Sequence, residues 1–209
     1  MDQPFSVPGY RLIGLLGFGG TGEVWRGIEE VTGQPVALKR LWEPAGPGLV
    51  SRLKHDAMLL EEAASQHVIA VHDVELLPNN EVVLVCEYAA AGSLAALLAT
   101  RSQLRHPEVV TILGPLARAL AAAHSRGLCH GDLTPSNVVF TADGRPKLSD
   151  FGLAIATGER RAEDPVYRDP ALSDGGAPGP AADVFGLAAI GYAALTGVPP
   201  RPADVTGRV

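Results

Sequence analysis

The chain has 209 residues, of which 46% are hydrophobic and 19% are charged, and its net charge is −6. This composition allows a sizeable buried core and excludes a disordered chain. The acidic balance, without a prominent cluster of lysine and arginine, argues against nucleic acid as the main partner.

The sequence also lacks the usual signals for export and membrane insertion. Its longest apolar run, residues 184–195, is too short to span a bilayer, and its first residues lack a signal-peptide pattern. The two cysteines, Cys86 and Cys129, lie in apolar runs that do not suggest a disulfide framework. We therefore expect a cytoplasmic protein, with no membrane segment in this chain.

The first 88 residues are predicted to be rich in strands. Short runs of strand-forming residues, bounded by turn residues, cover residues 10–16, 23–28, 35–41, 68–76 and 81–86. One helix is predicted over residues 49–64 from the helical spacing of its apolar residues.

The remaining residues, 89–209, are predicted to be mostly helical. Helices are expected over residues 93–100, 107–126 and 181–195, with short strands around residues 138–140 and 147–149. The two halves together predict an α+β fold.

A glycine-rich turn joins the first two predicted strands. Its sequence is Gly17-Phe18-Gly19-Gly20-Thr21-Gly22-Glu23-Val24, which follows the pattern G-x-G-x-x-G-x-V. Glycine allows the backbone to approach phosphate groups closely. A flexible hairpin and a dinucleotide-binding loop are alternatives. The dinucleotide-binding loop would need a helix after the turn, whereas strands are predicted on both sides.

Two motifs in the second half carry groups suited to phosphoryl transfer. They are His130-Gly131-Asp132-Leu133-Thr134-Pro135-Ser136-Asn137 and Asp150-Phe151-Gly152. This chemistry needs one carboxylate near the attacking hydroxyl, and an amide and a second carboxylate to hold magnesium. Asp132, Asn137 and Asp150 supply these groups in that order. Upstream, Lys39 ends a predicted strand and could place a cation on the phosphates.

These motifs, in this order, resemble the protein kinase family, in particular the Hanks-type Ser/Thr kinase domains of bacteria. The resemblance extends over nearly the whole chain. It implies a bilobal fold, with an N-lobe of one antiparallel sheet and one helix over residues 1–88. It also implies a mostly helical C-lobe over residues 89–209, here lacking its last helices.

The resemblance implies ATP and Mg²⁺ as cofactors and an unknown protein as the substrate. Asp132, Lys39 and Asn137 would be the catalytic residues, with Asp132 orienting the acceptor hydroxyl. Asn137 and Asp150 would be the metal ligands.

The resemblance also implies a set of nucleotide-binding residues. They are Leu16, Gly17, Gly19, Gly22, Val24, Ala37, Lys39, Asp56, Cys86, Glu87 and Tyr88. Within this set, Asp56 takes the place of the family's glutamate that pairs with Lys39, and Glu61 and Glu62 are possible substitutes. Cys86 would lie at the back of the adenine pocket, as a buried thiol and not as a nucleophile.

Two residues are expected to support the loop that carries Asp132. His130 would pack behind this loop and have a structural role. Asp183 would accept hydrogen bonds from the loop backbone, although a helix N-cap is an alternative interpretation of Asp183.

Several positions depart from the family pattern. Gly131 replaces an arginine, Thr134 replaces a lysine that touches the γ-phosphate, and Asp164 replaces a threonine that contacts this lysine. Ala171 replaces a glutamate that, in the family, anchors the segment after Asp150-Phe151-Gly152 through an ion pair. Because Gly131 cannot pair with a phosphate group, we expect activity that does not depend on phosphorylation of residues 152–170.

Three interpretations of function therefore stay open. The first is a Ser/Thr protein kinase, the second is a pseudokinase that binds nucleotide or a partner, and the third is a small-molecule phosphotransferase. The chain ends soon after the apolar helix predicted at residues 181–195. We expect this helix to be partly exposed, and to be covered by a second copy or by an adjoining domain.

Overall fold

The computed structural model describes residues 5–63, 65–158, 165–174 and 178–200. The strands are β1 (Tyr10–Gly19), β2 (Gly22–Glu29), β3 (Pro35–Leu41), β4 (Val71–Leu76), β5 (Val82–Glu87), β6 (Val138–Phe140) and β7 (Pro146–Leu148). The helices are α1 (Leu49–Glu62), α2 (Leu94–Arg101), α3 (His106–His124), α4 (Leu153–Thr157) and α5 (Pro180–Thr196). The predicted α+β class is confirmed, with a strand-rich first part and a mostly helical second part.

The five strands β1 to β5 form one antiparallel sheet in the order β1-β2-β3-β5-β4. Strand β5 shows why this sheet is stable, because successive side chains point to opposite faces. Val83 and Val85 pack on one face, where Phe5 and Trp25 complete an apolar cluster. Strand β5 is therefore apolar at every position from 82 to 85, since both faces are covered.

The other face of the sheet packs against α1. Val82 and Leu84 of β5 meet Leu49 and Leu53 of this helix, and Leu153 of α4 joins the same cluster. The beginning of α4 is therefore anchored in the core of the sheet part. This connects the segment after Asp150 to the helix that carries Asp56.

The helical part is built around α3 and α5, which pack against each other. Gly191 of α5 permits a close approach, because a Cβ there would lie 2.8 Å from Leu113 of α3. Pro115 lies inside α3, and the chain leaves this helix through Gly127, which has a φ of +76°. The short strands β6 and β7 pair antiparallel beside these helices.

One face of α5 is exposed, as expected. Its exposed residues recur with helical spacing and are Ala181, Val184, Ala188, Tyr192 and Leu195. Val184 is 63% exposed, whereas Ile190 on the opposite face is completely buried.

Some local predictions need correction, and one concerns a residue outside the described ranges. The short helix α4 and the 3₁₀ turns at Pro135–Asn137, Pro165–Tyr167 and Pro170–Asp174 were not predicted, because so few residues give no periodic pattern. The alternative that Asp183 caps α5 is wrong, since the N-cap is Gly179. Asp164 lies outside the described residues. None of the described helices is long and apolar enough to cross a membrane.

Candidate active site

A cavity of about 570 Å³ lies between the glycine-rich hairpin and the loop that carries Asp132. It brings together most of the predicted site residues: Leu16, Gly17, Gly19, Val24, Ala37, Lys39, Cys86, Glu87, Tyr88, Asp132, Asn137 and Asp150. Gly22 and Asp56, which were also predicted to bind nucleotide, are not among its lining residues in the described part of the chain. Leu60, Val71 and Val139 line it as well, and no sequence motif pointed to these three residues.

Gly22 has a backbone role at the edge of this site. It pairs with Leu41 across β2 and β3, and a Cβ at this position would collide with the carbonyl oxygen of Arg40. Only glycine fits there, so this glycine of the motif holds the hairpin against β3.

Lys39 is buried in the cavity wall and forms an ion pair with Asp150. The Nζ atom of Lys39 lies 2.6 Å from Oδ2 of Asp150. The backbone of Asp150 is left-handed, with a φ of +59°, a conformation that is uncommon for residues other than glycine. This conformation belongs to the turn between β7 and α4, and it accompanies the approach of the carboxylate to Lys39.

The expected ion pair between Lys39 and Asp56 is not among the ion pairs of the described residues. The carboxylate of Asp56 instead lies 3.8 Å from Nε of Arg52, one turn earlier in α1. Burial raises the pKa of Asp56, and Arg52 opposes this effect. The aspartate side chain is one methylene shorter than the glutamate of the family. The two suggested substitutes, Glu61 and Glu62, are exposed.

Asp132 and Asn137 are held in one loop by their own hydrogen bonds. The Nδ2 atom of Asn137 donates to the backbone carbonyl of Asp132 at 2.7 Å, and the backbone N–H of Ser149 donates to the carbonyl of Asn137. Burial, and secondarily the charge of Asp150, raise the pKa of Asp132, while His130, Lys39 and Asn137 act in the opposite direction. A raised pKa suits a carboxylate that accepts a proton.

The loop is supported from below by two buried residues. Asp183 is 1% exposed, and its two oxygens accept the backbone N–H groups of His130 and Gly131, each at 2.8 Å. His130 is completely buried, with Nε2 2.8 Å from the carbonyl oxygen of Ser149 and its ring against Phe151. The backbone N–H of Asp132 donates to Nδ1 of His130, so Nε2 carries the proton. The expected structural roles of His130 and Asp183 are confirmed.

His124, at the end of α3, completes this support and was missed in the sequence. Its Nε2 lies 2.8 Å from Oδ2 of Asp183. Cys129 lies beside them, and burial raises the pKa of its thiol, with a further contribution from Asp183. The only signal for His124 was a histidine in the last turn of a helix, which is too common to interpret alone.

A second ion pair, partly buried, joins the connection between the two parts of the chain to β7. The Nζ atom of Lys147 lies 2.6 Å from Oε2 of Glu87 and 3.4 Å from the carbonyl oxygen of Val68. The neighbouring Cys86 lines the cavity, and burial raises the pKa of its thiol to about 12. It is therefore protonated at neutral pH, in agreement with its interpretation as an apolar wall.

The departures from the family pattern have structural counterparts. Gly131 has a φ of +82°, and a Cβ there would lie 2.7 Å from the side chain of Ile155 in α4. An apolar contact with α4 therefore occupies the position where the family has an arginine. Thr134 lines a separate pocket of about 320 Å³ beside α2 and α5. Among the described residues that line the main cavity, Lys39 is the only lysine or arginine.

Sequence comparison agrees with this architecture. The family model for the protein kinase domain matches residues 10–208. The chain therefore belongs to the protein kinase domain family, and the resemblance to bacterial Ser/Thr kinases is confirmed.

Similar proteins are found in Mycobacterium and Corynebacterium species, and they are longer than this chain. The serine/threonine-protein kinase PknK of Mycobacterium tuberculosis is 33% identical over 196 residues, which cover 90% of this chain and 18% of that protein. The protein drp72 of Corynebacterium efficiens, a serine/threonine-protein kinase, is 30% identical over 219 residues, which cover 97% of this chain and 41% of that protein. PknA of Mycobacterium tuberculosis is 30% identical, covering 93% of this chain and 48% of that protein. The chain thus spans less than half the length of these relatives.

The lining residues fit the cofactors that such a domain implies. Leu16, Val24 and Ala37 give the cavity an apolar end, which suits a purine ring. Asn137 and Asp150 offer oxygen ligands of the kind that Mg²⁺ prefers. The hydrogen bond from Nδ2 of Asn137 to Asp132 fixes the amide and leaves its oxygen atom available as a ligand.

Proposed function

We propose that the chain is the catalytic domain of an ATP-dependent protein kinase that phosphorylates Ser or Thr hydroxyls. The observation that carries this proposal is the convergence of Lys39, Asp132, Asn137 and Asp150 on one cavity beneath a glycine-rich hairpin. These residues lie up to 111 positions apart in the sequence, and a chance meeting of this donor set is improbable.

Each residue would contribute through position and charge. Asp132 would orient the acceptor hydroxyl and accept its proton as the oxygen forms a bond to the γ-phosphorus of ATP. Its raised pKa favours this role. Lys39 would contact the phosphates and release its present partner, Asp150, for the metal. Bound Mg²⁺ would neutralise charge on the phosphate oxygens.

A pseudokinase is a second candidate, and two observations favour it. Lys39 pairs with Asp150 and not with an acid of α1. Thr134 removes a cation, and Lys39 is the only lysine or arginine among the described lining residues. Phosphoryl transfer depends on positioned positive charge, so both features would lower its rate.

Two measurements test the proposal. The first is the melting temperature with ATP alone and with ATP plus Mg²⁺, for the wild type and for Asp150→Asn. A ligand at a hundredfold excess over its Kd stabilises by about 2.7 kcal/mol. We expect a magnesium-dependent increase that Asp150→Asn removes. Asp143→Asn should retain this increase, because Asp143 is exposed and is not among the described residues that line the cavity.

The second measurement is transfer of labelled phosphate from ATP to a protein acceptor. Transfer supports the kinase, and binding without transfer supports the pseudokinase. The absence of any binding of ATP, with or without Mg²⁺, would contradict the kinase and leave only a pseudokinase that binds a partner protein.

The acceptor, the partners and the cellular compartment also belong to the proposal. We infer a protein acceptor and a cytoplasmic location, which agree with the use of ATP and with two free cysteines. The exposed apolar face of α5 supports a second copy or an adjoining domain as its cover. A monomer of the expected mass in light scattering would contradict coverage by a second copy.

A further inference from the structure

Trp42 attaches the glycine-rich hairpin to the end of β3. It follows Leu41, three positions after Lys39. Its indole Nε1–H donates to the carbonyl oxygen of Gly19 at 3.1 Å, and its backbone N–H donates to the carbonyl oxygen of Thr21 at 3.2 Å. One residue thus binds the hairpin on both sides of its tip.

The same indole ring stacks on Phe18. The two ring centroids are 6.3 Å apart and the ring planes differ by 16°, within the range of offset aromatic stacking. Phe18 is 69% exposed and Trp42 is 43% exposed, so neither ring belongs to a core. Burial of apolar surface therefore does not explain why two large aromatic side chains lie at this place.

The hairpin gains from being fixed because it is unusually free without support. Four of the six residues from Gly17 to Gly22 are glycine, which loses more backbone freedom on ordering than any other residue. Ordering a loop during binding lowers affinity, and ordering it beforehand avoids this loss. Residues 17–21 all line the cavity, so the two hydrogen bonds and the ring contact of Trp42 hold residues that face the cavity.

We propose that Trp42 is a positioning residue for nucleotide binding, which orders the glycine-rich hairpin through Phe18 and Gly19. Trp42 is not among the cavity-lining residues of the described chain, so it acts through its neighbours. This inference rests on the proposed function, since it requires that the cavity binds a nucleotide.

The test measures the Kd of Mg²⁺–ADP by calorimetry in three variants. Trp42→Leu removes the stack and the indole hydrogen bond, Trp42→Phe retains a ring for the stack, and Phe18→Leu retains the hydrogen bond. We expect a Kd about five- to tenfold higher for Trp42→Leu, and about two- to threefold higher for each of the other two.

A control and a second readout separate positioning from general stability. Leu76→Ala changes an apolar residue that is 52% exposed on β4 and does not line the cavity, so its Kd should equal that of the wild type. If the protein transfers phosphate, Trp42→Leu should raise the KM for ATP and change kcat by less than about twofold.

The fluorescence of Trp42 reports on nucleotide binding in the variant Trp25→Phe, where Trp42 is the one tryptophan that remains. The indole Nε1 of Trp25 is buried without a hydrogen-bond partner among the described residues, so phenylalanine removes no hydrogen bond there. The remaining emission comes from Trp42 and should change on titration with Mg²⁺–ADP, with the Kd obtained by calorimetry.

The outcomes distinguish this inference from the proposed function. If the wild type does not bind Mg²⁺–ADP, the proposed function fails and the inference fails with it. If the wild type binds but Trp42→Leu binds within about twofold of it, the inference alone is overturned. A fall in kcat with an unchanged KM would also overturn it. Trp42→Phe keeps the test valid if Trp42→Leu is unstable, because it retains a ring at a partly exposed position outside the cavity lining and loses only the indole hydrogen bond.

Discussion

The two sides of the cavity are held in place by different means. On the side of Asp132, buried side chains bind the loop backbone directly, as Asp183 does through both of its oxygens. On the side of the sheet, the glycine-rich hairpin is held by the backbone pairing of β1 with β2 and of β2 with β3. The exposed ring of Phe18 and the partly exposed ring of Trp42 add one stacking contact. The first side is rigid by construction, whereas the second depends on weak contacts.

This difference suggests where sequence change is tolerated. The departure at Asp56 shortens the acid expected to pair with Lys39, and Thr134 removes a cation expected near the phosphates, yet the buried bonds around His130 and Asp183 are complete. Loss of one of these buried hydrogen bonds would destabilise the fold, whereas loss of a charge in the cavity would lower only the rate of phosphoryl transfer or the affinity for nucleotide. The following predictions test this comparison, from the largest expected effect to the smallest.

The largest effect should come from the carboxylate that faces the acceptor. We expect Asp132→Asn to lower kcat by about 10²- to 10⁴-fold, because the amide cannot accept the proton of the hydroxyl. The Kd of Mg²⁺–ADP should change little. Single-turnover kinetics would measure the loss in rate, and calorimetry would measure the Kd. Asp143→Asn, at an aspartate that is 63% exposed, is the control. Equal rates for Asp132→Asn and wild type would exclude the proposed role.

Removal of the Asp183 carboxylate should destabilise the protein, because this carboxylate holds the loop that carries Asp132. Asp183→Ala leaves two backbone N–H groups and His124 without their acceptor, so we expect a loss of about 3–5 kcal/mol in the free energy of unfolding. Urea denaturation would measure this loss. Asp143→Ala at the surface should lose less than about 1 kcal/mol. A similar small loss for Asp183→Ala would contradict the rigid side as described.

The residues on the side of Asp132 could be predicted from the sequence better than those on the side of the sheet, for a physical reason. Asp132, Asn137 and Asp150 lie in short motifs whose loops are fixed by local hydrogen bonds. The spacing of these residues in the sequence is therefore enough to predict that their side chains lie close together. The partner of Lys39 depends on how α1 packs on the sheet, and this packing involves Leu153 from a segment that gave no periodic signal. Contacts such as Lys147 with Glu87 join residues 60 positions apart, which one sequence cannot reveal. The boundary at residue 88 and the independence from phosphorylation stay predictions.

A pH dependence should follow from the raised pKa of Asp132. The active form is the carboxylate, so activity should fall as pH decreases through a midpoint above the pKa of an ordinary aspartate, about 3.9. The single-turnover rate, measured with saturating Mg²⁺–ATP across the acidic range in which the protein stays folded, would show this limb. The residual activity of Asp132→Asn should lack it. An acidic limb that persists unchanged in this variant would assign the titration to another group.

The smallest effect concerns the weak side, where a longer acid could restore a missing pair. Asp56→Glu adds one methylene to a side chain that is partly buried in α1 and that now contacts only its neighbour Arg52 among the ion pairs of the described residues. If the longer carboxylate reaches Lys39, it frees Asp150 for the metal, and kcat/KM for ATP should rise by about two- to fivefold, as expected for a modest ion pair. Glu61→Asp, on the exposed face of the same helix, should leave kcat/KM unchanged. No gain in Asp56→Glu would mean that the position of α1, and not the length of the acid, keeps Lys39 with Asp150. The rigid packing of Leu153 would then control the weak side as well.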